Sequence, residues 1–447
     1  MSDESTTESK PEDIPKPYSA WRNPNVSWTD VFISLILSYF FKMPLLTLDP
    51  ESKEARDDLE RTRKKLQDSA DGFMGKAAVK KWADASGGDR LLAEYSGEIP
   101  FQKDILKDWK IIDDSENDRI LPDTISSREK VKVLVRFPSR LLSPHQRENA
   151  EILDYSGCLE IKELDLSTFA PDTPMLLQFH GGALILGGAH KTELLNTTAD
   201  LVSTHAEENG TTPPNLVTIS IEYGLAPELQ FPVAIMDSLS VVDYLLASTN
   251  DRKIHVSGES AGGNISCIVA MEAYRKFPGR ILSLEAQCPM ISPSSDSMSF
   301  YMNQNLFPEP LMLRWGWRAY LGLDAPKHEN AVPTTVQEAI RKDSNYTTWE
   351  DWKGKYSKSL LRLVEPIVDL PEGLERKNAP KIIIRLNKGD PLHDEAKMLV
   401  ERFEKYNSNL SYFDDMGLHC SVGGINDPDG HKQIMITWGN VLFASQE

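Results

Sequence analysis

Short apolar runs separated by helix-length segments are the feature that most constrains the fold of this chain. They predict strands at 131–137, 157–164, 174–180, 216–222, 253–258, 284–290, 381–387 and 409–415. Several of the runs contain three or more consecutive apolar residues, which is typical of strands buried on both faces of a parallel sheet. The pattern therefore predicts an α/β fold with a mostly parallel central sheet flanked by helices.

The remaining segments predict the domain organisation. Residues 1–24 are rich in Ser, Glu, Lys and Pro and are expected to form a disordered N-terminal tail. Residues 25–125 carry many charged helix formers and are expected to form an N-terminal helical cap region. Residues 126–447 then form the main α/β domain. Within it, the segment at about 292–379 is longer than an ordinary connection between strands, so it is expected to be an insertion that completes the cap.

The most apolar segment is the run at 31–41, VFISLILSYFF, which is followed by Lys42 and Pro44. It is much shorter than the roughly 20 residues that a membrane-spanning helix needs. Two interpretations remain: a buried helix of the cap, or a helix lying in a membrane surface, with residues 31–48 as the contact. Because short apolar runs usually belong to a core, the buried helix is favoured.

The overall charge and the cysteine spacing exclude several classes of protein. A formal net charge of −18 argues against nucleic-acid binding, because such a chain does not neutralise phosphates. The four cysteines, Cys158, Cys267, Cys288 and Cys420, are far apart and include no C-x-x-C pair, so they predict neither a disulfide framework nor a metal site. The polar, acidic N-terminus is unlike a secretory signal, so a cytoplasmic location is expected, with membrane association through 31–48 left open.

Ser260 lies in the sequence Gly-Glu-Ser-Ala-Gly between a predicted strand and a predicted helix. A G-x-S-x-G sequence in this context is the nucleophile elbow, a strained turn that exposes a serine hydroxyl at a helix N-terminus. The motif alone is common by chance, and a glycine-rich packing turn is the alternative interpretation. The strand and helix on either side favour the elbow.

The sequence His-Gly-Gly-Ala at 180–183 follows another predicted strand. Glycines let backbone N–H groups approach a ligand closely, as stabilisation of an oxyanion requires. We therefore predict an oxyanion hole formed by the amides of Gly181, Gly182 and Ala261, with a plain strand-to-helix turn as the alternative. His180 is interpreted as a structural histidine that holds the loop.

The chain also contains an acid and a histidine in the order Ser, Asp, His. Asp390 follows the predicted strand 381–387, at the sheet edge where active sites of open α/β sheets form. Asp394 and Glu395 fall where the next helix begins and are less favoured. His419 follows the last predicted strand directly and is the candidate general base for Ser260.

Taken together, these stretches resemble the hormone-sensitive-lipase group of α/β-hydrolases, which includes the arylacetamide-deacetylase-like esterases. The matching stretches are HGGALILGG (180–188), EYGLAPELQFPVAIMD (222–237), GESAGGN (258–264), GDPLHDE (389–395) and GLHCS (417–421). The resemblance implies an α/β-hydrolase fold whose catalytic domain is 126–447. It also implies a helical cap and serine ester hydrolysis with no metal or organic cofactor. Carried over, the triad is Ser260, Asp390 and His419.

The sequence departs from the family pattern at three places, and the third bears on substrate choice. Ala183 occupies the fourth position of the HGGG-type motif, and Gly224 replaces the usual arginine of the Y-R-L-A-P-E stretch. The interval between Ser260 and Asp390 is long, which implies extra residues in the cap. Because the cap shapes the substrate pockets, the pattern leaves acyl chain length, the physiological substrate and the oligomeric state open.

The resulting expectation is a serine carboxylesterase that hydrolyses short- to medium-chain esters of small molecules through an acyl-enzyme intermediate. An amide or acetyl-ester deacetylase and a lipase of the same family are alternatives, since triad chemistry does not separate them. A non-catalytic receptor on this fold, as in the gibberellin receptor, is disfavoured because such receptors resemble the family but lack the histidine, which is present here as His419.

Overall fold

The structure, a computed structural model, describes residues 14–40, 50, 52–70, 73–87, 91–112, 123–153, 158–190, 192–247, 251–325, 333, 335–376, 378–406, 409–420 and 428–444. Its strands are β1 Leu92–Pro100, β2 Lys130–Pro138, β3 Glu151–Ile152, β4 Leu159–Glu160, β5 Met175–Phe179, β6 Val217–Glu222, β7 Ile254–Glu259, β8 Ile281–Gln287, β9 Lys381–Asn387 and β10 Leu410–Asp415. The helices of the first part of the chain are α1 Trp28–Phe40, α2 Lys53–Ala70, α3 Phe73–Ala85, α4 Ile105–Asp108, α5 Pro144–Glu148, α6 Thr192–Asn209, α7 Val233–Ala247 and α8 Ala261–Lys276. Those of the second part are α9 Met298–Met302, α10 Pro310–Leu321, α11 Val336–Arg341, α12 Tyr346–Lys353, α13 Lys358–Leu361, α14 His393–Glu404 and α15 Pro428–Leu442.

All these strands form one sheet in the order β10-β9-β8-β7-β5-β6-β2-β1-β4-β3. The strands from β10 to β6 run parallel to their neighbours, whereas β2 is antiparallel to both β6 and β1. The mostly parallel sheet predicted from the sequence is therefore present. Its parallel strands all end at one edge, so the loops after β5, β7, β9 and β10 lie on the same side of the molecule.

The central strands are buried on both faces. In β5, Leu177 packs in the larger apolar core, while its neighbour Leu176 packs in a second core against Trp438 of α15. In β9, Ile384 packs in the larger core and its neighbour Ile383 packs in the second core. Because successive side chains of a strand point to opposite faces, helices on both sides of the sheet explain why the apolar residues of these strands are consecutive rather than alternating.

The predicted N-terminal regions differ in part from the observed ones. Residues 1–13 of the predicted tail lie outside the described residues, and Ala20–Arg22 forms a 3₁₀ turn. The region 25–125, which the sequence predicts to be a helical cap, supplies α1 to α4, but it also supplies β1, which pairs with β2 along its whole length. The predicted strand at 157–164 is reduced to the two residues of β4.

Helix α1 is buried on one face only. Val31 and Ser34 are buried, and Ser34 Oγ accepts a hydrogen bond of 2.8 Å from Phe307 N in the cap insertion. The other face exposes large apolar side chains: Trp28 is 73% and Phe32 61% exposed, and Leu35 and Ile36 are also exposed. The buried-helix interpretation of residues 31–41 is therefore correct for one face. Residues 41–48 of the proposed membrane contact lie outside the described residues. Within the described ranges, no helix combines the length and the hydropathy that crossing a bilayer requires.

The cap insertion between β8 and β9 supplies α9 to α13. Trp315 and Trp317 of α10 are fully buried, and Gly316 lies between them against the loop after β5. A Cβ at Gly316 would be 2.2 Å from Ala183 O, so α10 packs on this loop closely enough to require glycine. The cap is thus in direct contact with one of the loops that end at the site.

Asp237 of α7 anchors the stretch in which Gly224 replaces the family's arginine. Its carboxylate is buried, accepts a hydrogen bond of 2.8 Å from Gly224 N, and forms two bonds of 2.6 Å with the guanidinium of Arg128. An arginine from the segment before β2 therefore pairs with this buried charge. The stretch therefore remains anchored by Asp237 and Arg128, although Gly224 stands where the resembled family has an arginine.

Candidate active site

Ser260 occupies the sharp turn between β7 and α8. Its backbone has φ 56° and ψ −119°, a conformation that non-glycine residues rarely adopt. Ser260 N donates to Gln287 O at 2.8 Å, and Ser260 O accepts from Met290 N at 3.0 Å, so the neighbouring strand holds the turn from both sides. A Cβ at Gly262 would lie 2.1 Å from Phe179 O, and only glycine allows α8 to begin so close to β5. The predicted elbow is therefore present.

The loop at 180–183 lies directly beside Ser260. A Cβ at Gly181 would be 3.1 Å from the Ser260 Cβ, and Gly182 has φ +128°, which favours glycine. Gly181 N donates a long hydrogen bond of 3.4 Å to Glu259 Oε1. Ala261 is the first residue of α8, so its N–H is one of those that a helix leaves without an intrahelical acceptor. The structure thus places Gly181 and Ala261, two of the three predicted oxyanion donors, beside the serine, and Gly182 follows Gly181 in the same loop.

His180 fixes the position of this loop through contacts of its ring and its backbone. Its ring stacks on Tyr223 with centroids 4.2 Å apart, and its Nδ1 lies 2.9 Å from Gly181 O. Tyr223 Oη donates to His180 O at 2.6 Å. Arg63 of α2 binds the far end of the loop, where its Nε donates to Ile185 O at 2.8 Å. A structural role for His180 accounts for these contacts.

Asp390 and His419 meet at the ends of β9 and β10. Asp390 Oδ2 is 2.7 Å from His419 Nδ1, and Asp390 Oδ1 accepts a hydrogen bond of 2.8 Å from Leu392 N. The Asp390 side chain is 1% exposed and the His419 side chain 7%. The two residues form a buried, oriented acid–histidine pair.

Asp394 and Glu395, the two competing acids, form hydrogen bonds with groups other than His419. Asp394 accepts a hydrogen bond of 2.8 Å from Ser299 N and lies 3.3 Å from His393 Nδ1. Glu395 is buried and accepts hydrogen bonds from the backbone of the cap insertion, at Ile291 N and Ser292 N. Both sit in the first turn of α14 and serve to attach the cap. The geometry therefore favours Asp390 as the partner of the histidine.

The electrostatics of the pair suit a proton acceptor. Burial disfavours a charged imidazole, but the charges of Asp390 and Cys420 and the hydrogen bonds to both outweigh burial and hold the pKa of His419 well above its ordinary value. When the ring is neutral, Asp390 favours the tautomer that carries its proton on Nδ1 and its lone pair on Nε2. The imidazolium that would form on accepting a proton is thus stabilised in advance.

His419 Nε2 faces a cysteine at its side. Cys420 Sγ is 3.5 Å from His419 Nε2, and Cys420 N donates to Cys288 Sγ at 3.3 Å. In the part of the chain that the structure describes, Ser260 Oγ and His419 Nε2 are not hydrogen-bonded to each other. Ser260 and Cys420, the residue after His419, contact the same carbonyl: Gln287 O accepts from Ser260 N at 2.8 Å and from Cys420 Sγ at 3.9 Å. Such catalytic contacts commonly tighten only when substrate binds.

The N-terminal segment before α1 supports the acid and base loops, a contribution that sequence reasoning missed. Asn23 Nδ2 donates to Asn303 Oδ1 at 2.7 Å, and Asn303 Nδ2 in turn donates to Asp390 O at 3.1 Å. Gly417 N donates to Asn25 O at 2.9 Å, two residues before the histidine. These polar residues carry no recognisable spacing, so no motif could have identified them.

Comparison with known proteins identifies the fold. A family model described as an alpha/beta hydrolase fold matches residues 176–345, which include the oxyanion loop and Ser260 and end before Asp390. Neutral cholesterol ester hydrolase 1 of Bos taurus is 23% identical over 395 residues, or 74% of this chain and 90% of that protein. The arylesterase of Saccharolobus solfataricus is 23% identical over 307 residues, or 65% of this chain and 83% of that protein.

Solved structures give the same result. A thermostable esterase from Pseudomonas putida ECU1011 is similar with a TM-score of 0.55 at 16% identity, covering 95% of this chain and 99% of that one. The hyperthermophilic esterase of Pyrobaculum calidifontis has a TM-score of 0.52 at 15% identity, with 94% and 99% covered. At these identities the likeness concerns the fold. The predicted α/β-hydrolase fold, a mostly parallel sheet with flanking helices, is confirmed.

Proposed function

We propose that this chain is a carboxylic ester hydrolase of the hormone-sensitive-lipase-like family and that it acts through Ser260 on short- to medium-chain esters. The proposal is supported by the α/β-hydrolase fold and by the relatives named as ester hydrolases. The observation that carries the serine mechanism is the buried Asp390–His419 pair, 2.7 Å apart, at the same sheet edge as the strained turn that presents Ser260. An isolated serine is a weak nucleophile, and a histidine oriented by a carboxylate is what activates it.

The proposed reaction uses these residues in two half-cycles. His419 Nε2 accepts the Ser260 proton as Oγ attacks the ester carbonyl, and the amides of Gly181, Gly182 and Ala261 bind the oxyanion. His419 then returns the proton to the leaving alcohol, which leaves an acyl group on Ser260. A water molecule, deprotonated by the same histidine, releases the acid and restores the serine. Asp390 orients the imidazole and stabilises its charged form throughout.

The substrate range is tested with p-nitrophenyl esters from acetate to palmitate. We expect the highest kcat/KM for the short and medium acyl chains, butyrate to octanoate, because α10 packs directly on the oxyanion loop through Gly316 and limits the space above it. Cholesteryl esters and p-nitroacetanilide complete the panel, since the bovine relative is named for cholesterol esters and amide cleavage uses the same residues. A maximum at palmitate would favour a lipase. Amide turnover without ester turnover would favour a deacetylase, and no turnover of any substrate would favour a receptor.

We also propose that the exposed face of α1 contacts a lipid surface. The apolar side chains of Trp28, Phe32 and Ile36 lie one turn apart and point away from the protein. Trp21 adds a second indole, with its ring centroid 5.3 Å from that of Trp28. An apolar helix face with interfacial tryptophans is typical of a protein that lies in the headgroup region. The enzyme would then encounter water-insoluble esters at the lipid surface, where such esters accumulate.

The lipid contact is tested by co-sedimentation with neutral phosphatidylcholine vesicles, which avoid repulsion of a chain with net charge −18. The double variant Phe32→Glu/Ile36→Glu is expected to lose at least tenfold in partitioning, because buried apolar area drives interfacial binding. The matched control, Met398→Glu/Tyr412→Glu, changes exposed apolar residues elsewhere and should partition as the wild type does. Equal partitioning of both double variants would contradict the proposal.

A further inference from the structure

Three metal-ligating atoms converge beside the proposed active site. Cys288 Sγ, Cys420 Sγ and His419 Nε2 all lie within 4.8 Å of one another. Cys288 follows β8 directly, whereas His419 and Cys420 lie in the loop after β10, so these residues are distant in the sequence. The catalytic mechanism uses His419 but neither cysteine.

The distance between Cys420 Sγ and His419 Nε2 matches the spacing of ligands around zinc. With Zn–S bonds of about 2.3 Å and Zn–N bonds of about 2.0–2.1 Å, tetrahedral ligands lie roughly 3.6 Å apart for a sulfur and a nitrogen. Cys420 Sγ and His419 Nε2 are already 3.5 Å apart. The three atoms could therefore close around an ion with small movements, and a water molecule would complete the four ligands.

The surroundings of the three atoms also resemble those of metal ligands. A ligating histidine characteristically donates its second ring nitrogen to a carboxylate, which fixes the tautomer and makes the other nitrogen more basic. His419 has this arrangement, since Asp390 Oδ2 is 2.7 Å from its Nδ1. Cys288 Sγ accepts a hydrogen bond from Cys420 N and donates one of 3.1 Å to Asn387 Oδ1. The Cys420 N–H would stabilise a Cys288 thiolate in the same way.

We propose that Cys288, Cys420 and His419 form an inhibitory Zn²⁺ site. On binding, each thiol releases its proton to solvent and its sulfur ligates the ion, while His419 donates its Nε2 lone pair. That lone pair is the one that must accept the Ser260 proton during hydrolysis. Zinc binding and turnover therefore exclude each other, and the ester hydrolase is switched off reversibly by free zinc. The three residues form no C-x-x-C pair, because they come from two loops that the fold brings together.

The inhibition rests on the proposed serine mechanism, so binding is measured separately from activity. Equilibrium dialysis of the full chain against ZnCl₂, under reducing conditions, should show one tightly bound Zn²⁺ per chain. Cys288→Ser and Cys420→Ser should each weaken binding at least tenfold, while Cys158→Ala, which changes a buried cysteine outside the cluster, should leave it unchanged. Co²⁺ bound to the wild-type chain should show a thiolate charge-transfer band, which reports ligation without any substitution.

Inhibition by zinc is measured with the ester on which the enzyme is most active. Micromolar Zn²⁺ should lower kcat at least tenfold, EDTA should restore it, and Cys288→Ser and Cys420→Ser should shift the inhibitory concentration upward by the same factor as binding. Zinc bound through the two cysteines in a chain that hydrolyses no ester would support the site and overturn the proposed function. Active enzyme that binds no zinc at micromolar concentration, or binds it equally well in both cysteine variants, would overturn the site.

Discussion

Replacing Ser260 by alanine is expected to lower kcat for p-nitrophenyl butyrate by a factor on the order of 10⁴ to 10⁶. The substitution removes the only atom that the proposed mechanism acylates, and the oxyanion donors alone account for the small residual rate. The measurement is steady-state hydrolysis, together with intact-mass analysis to detect the acyl adduct, which should form on the wild type and be absent from the variant.

Two further variants separate chemistry from folding. Ser266→Ala removes a buried hydroxyl in the same helix, where Ser266 Oγ donates to Gly263 O at 2.9 Å, and should retain most activity. Ser260→Gly should be as inactive as Ser260→Ala but more stable, because glycine relieves the unfavourable backbone conformation at φ 56°, a strain of about 1–3 kcal/mol. Full activity in Ser260→Ala would refute the serine mechanism.

The second large effect is expected for Asp390→Asn, which should lower kcat by about 10⁴. An amide in place of the carboxylate can donate to His419 Nδ1, which stabilises the tautomer whose Nε2 carries a proton and cannot act as a base. It also withdraws the negative charge that stabilises the imidazolium. The substitution is nearly isosteric, so the hydrogen bond from Leu392 N can persist and the fold is expected to remain.

Asp394→Asn is the matched control for this substitution. It changes an aspartate four residues away that binds Ser299 N and His393 rather than His419. It should retain most of the turnover and lose some stability, since the cap insertion is attached through Ser299. A loss in Asp394→Asn as large as that in Asp390→Asn would show that the acid has been assigned to the wrong residue.

The sequence predicts the sheet well because the signal for a buried strand is local. A run such as KIIIRLN has three consecutive isoleucines, and it appears as β9 over all its residues, Lys381–Asn387. The same reasoning does not predict β1, because its sequence, LAEYSGEIP, contains Glu, Gly and Pro among its apolar residues. Its identity depends on pairing with β2, a tertiary interaction that propensity does not encode.

The candidate triad is predictable for a different reason. Ser260, Asp390 and His419 each follow a strand of one parallel sheet, so strand order alone places them at a common edge. The cysteine cluster is not predictable in this way. Whether Cys288 and Cys420 meet depends on how two loops turn, and both residues have positive φ, at 44° and 48°. Loop geometry of this kind has no periodicity from which it could be read.

The contact between the N-terminal segment and the acid and base loops has a consequence for biosynthesis. Asn23 emerges from the ribosome early, whereas its partner Asn303 is 280 residues further along the chain, and Asp390, Gly417 and His419 follow later still. Domains otherwise tend to fold from the N-terminus as they are made. Asn23 therefore cannot form its hydrogen bond until Asn303 has been synthesised, 280 residues later. A nascent chain that already carries the serine and the oxyanion loop thus lacks this support until the segments that hold Asp390 and His419 have followed.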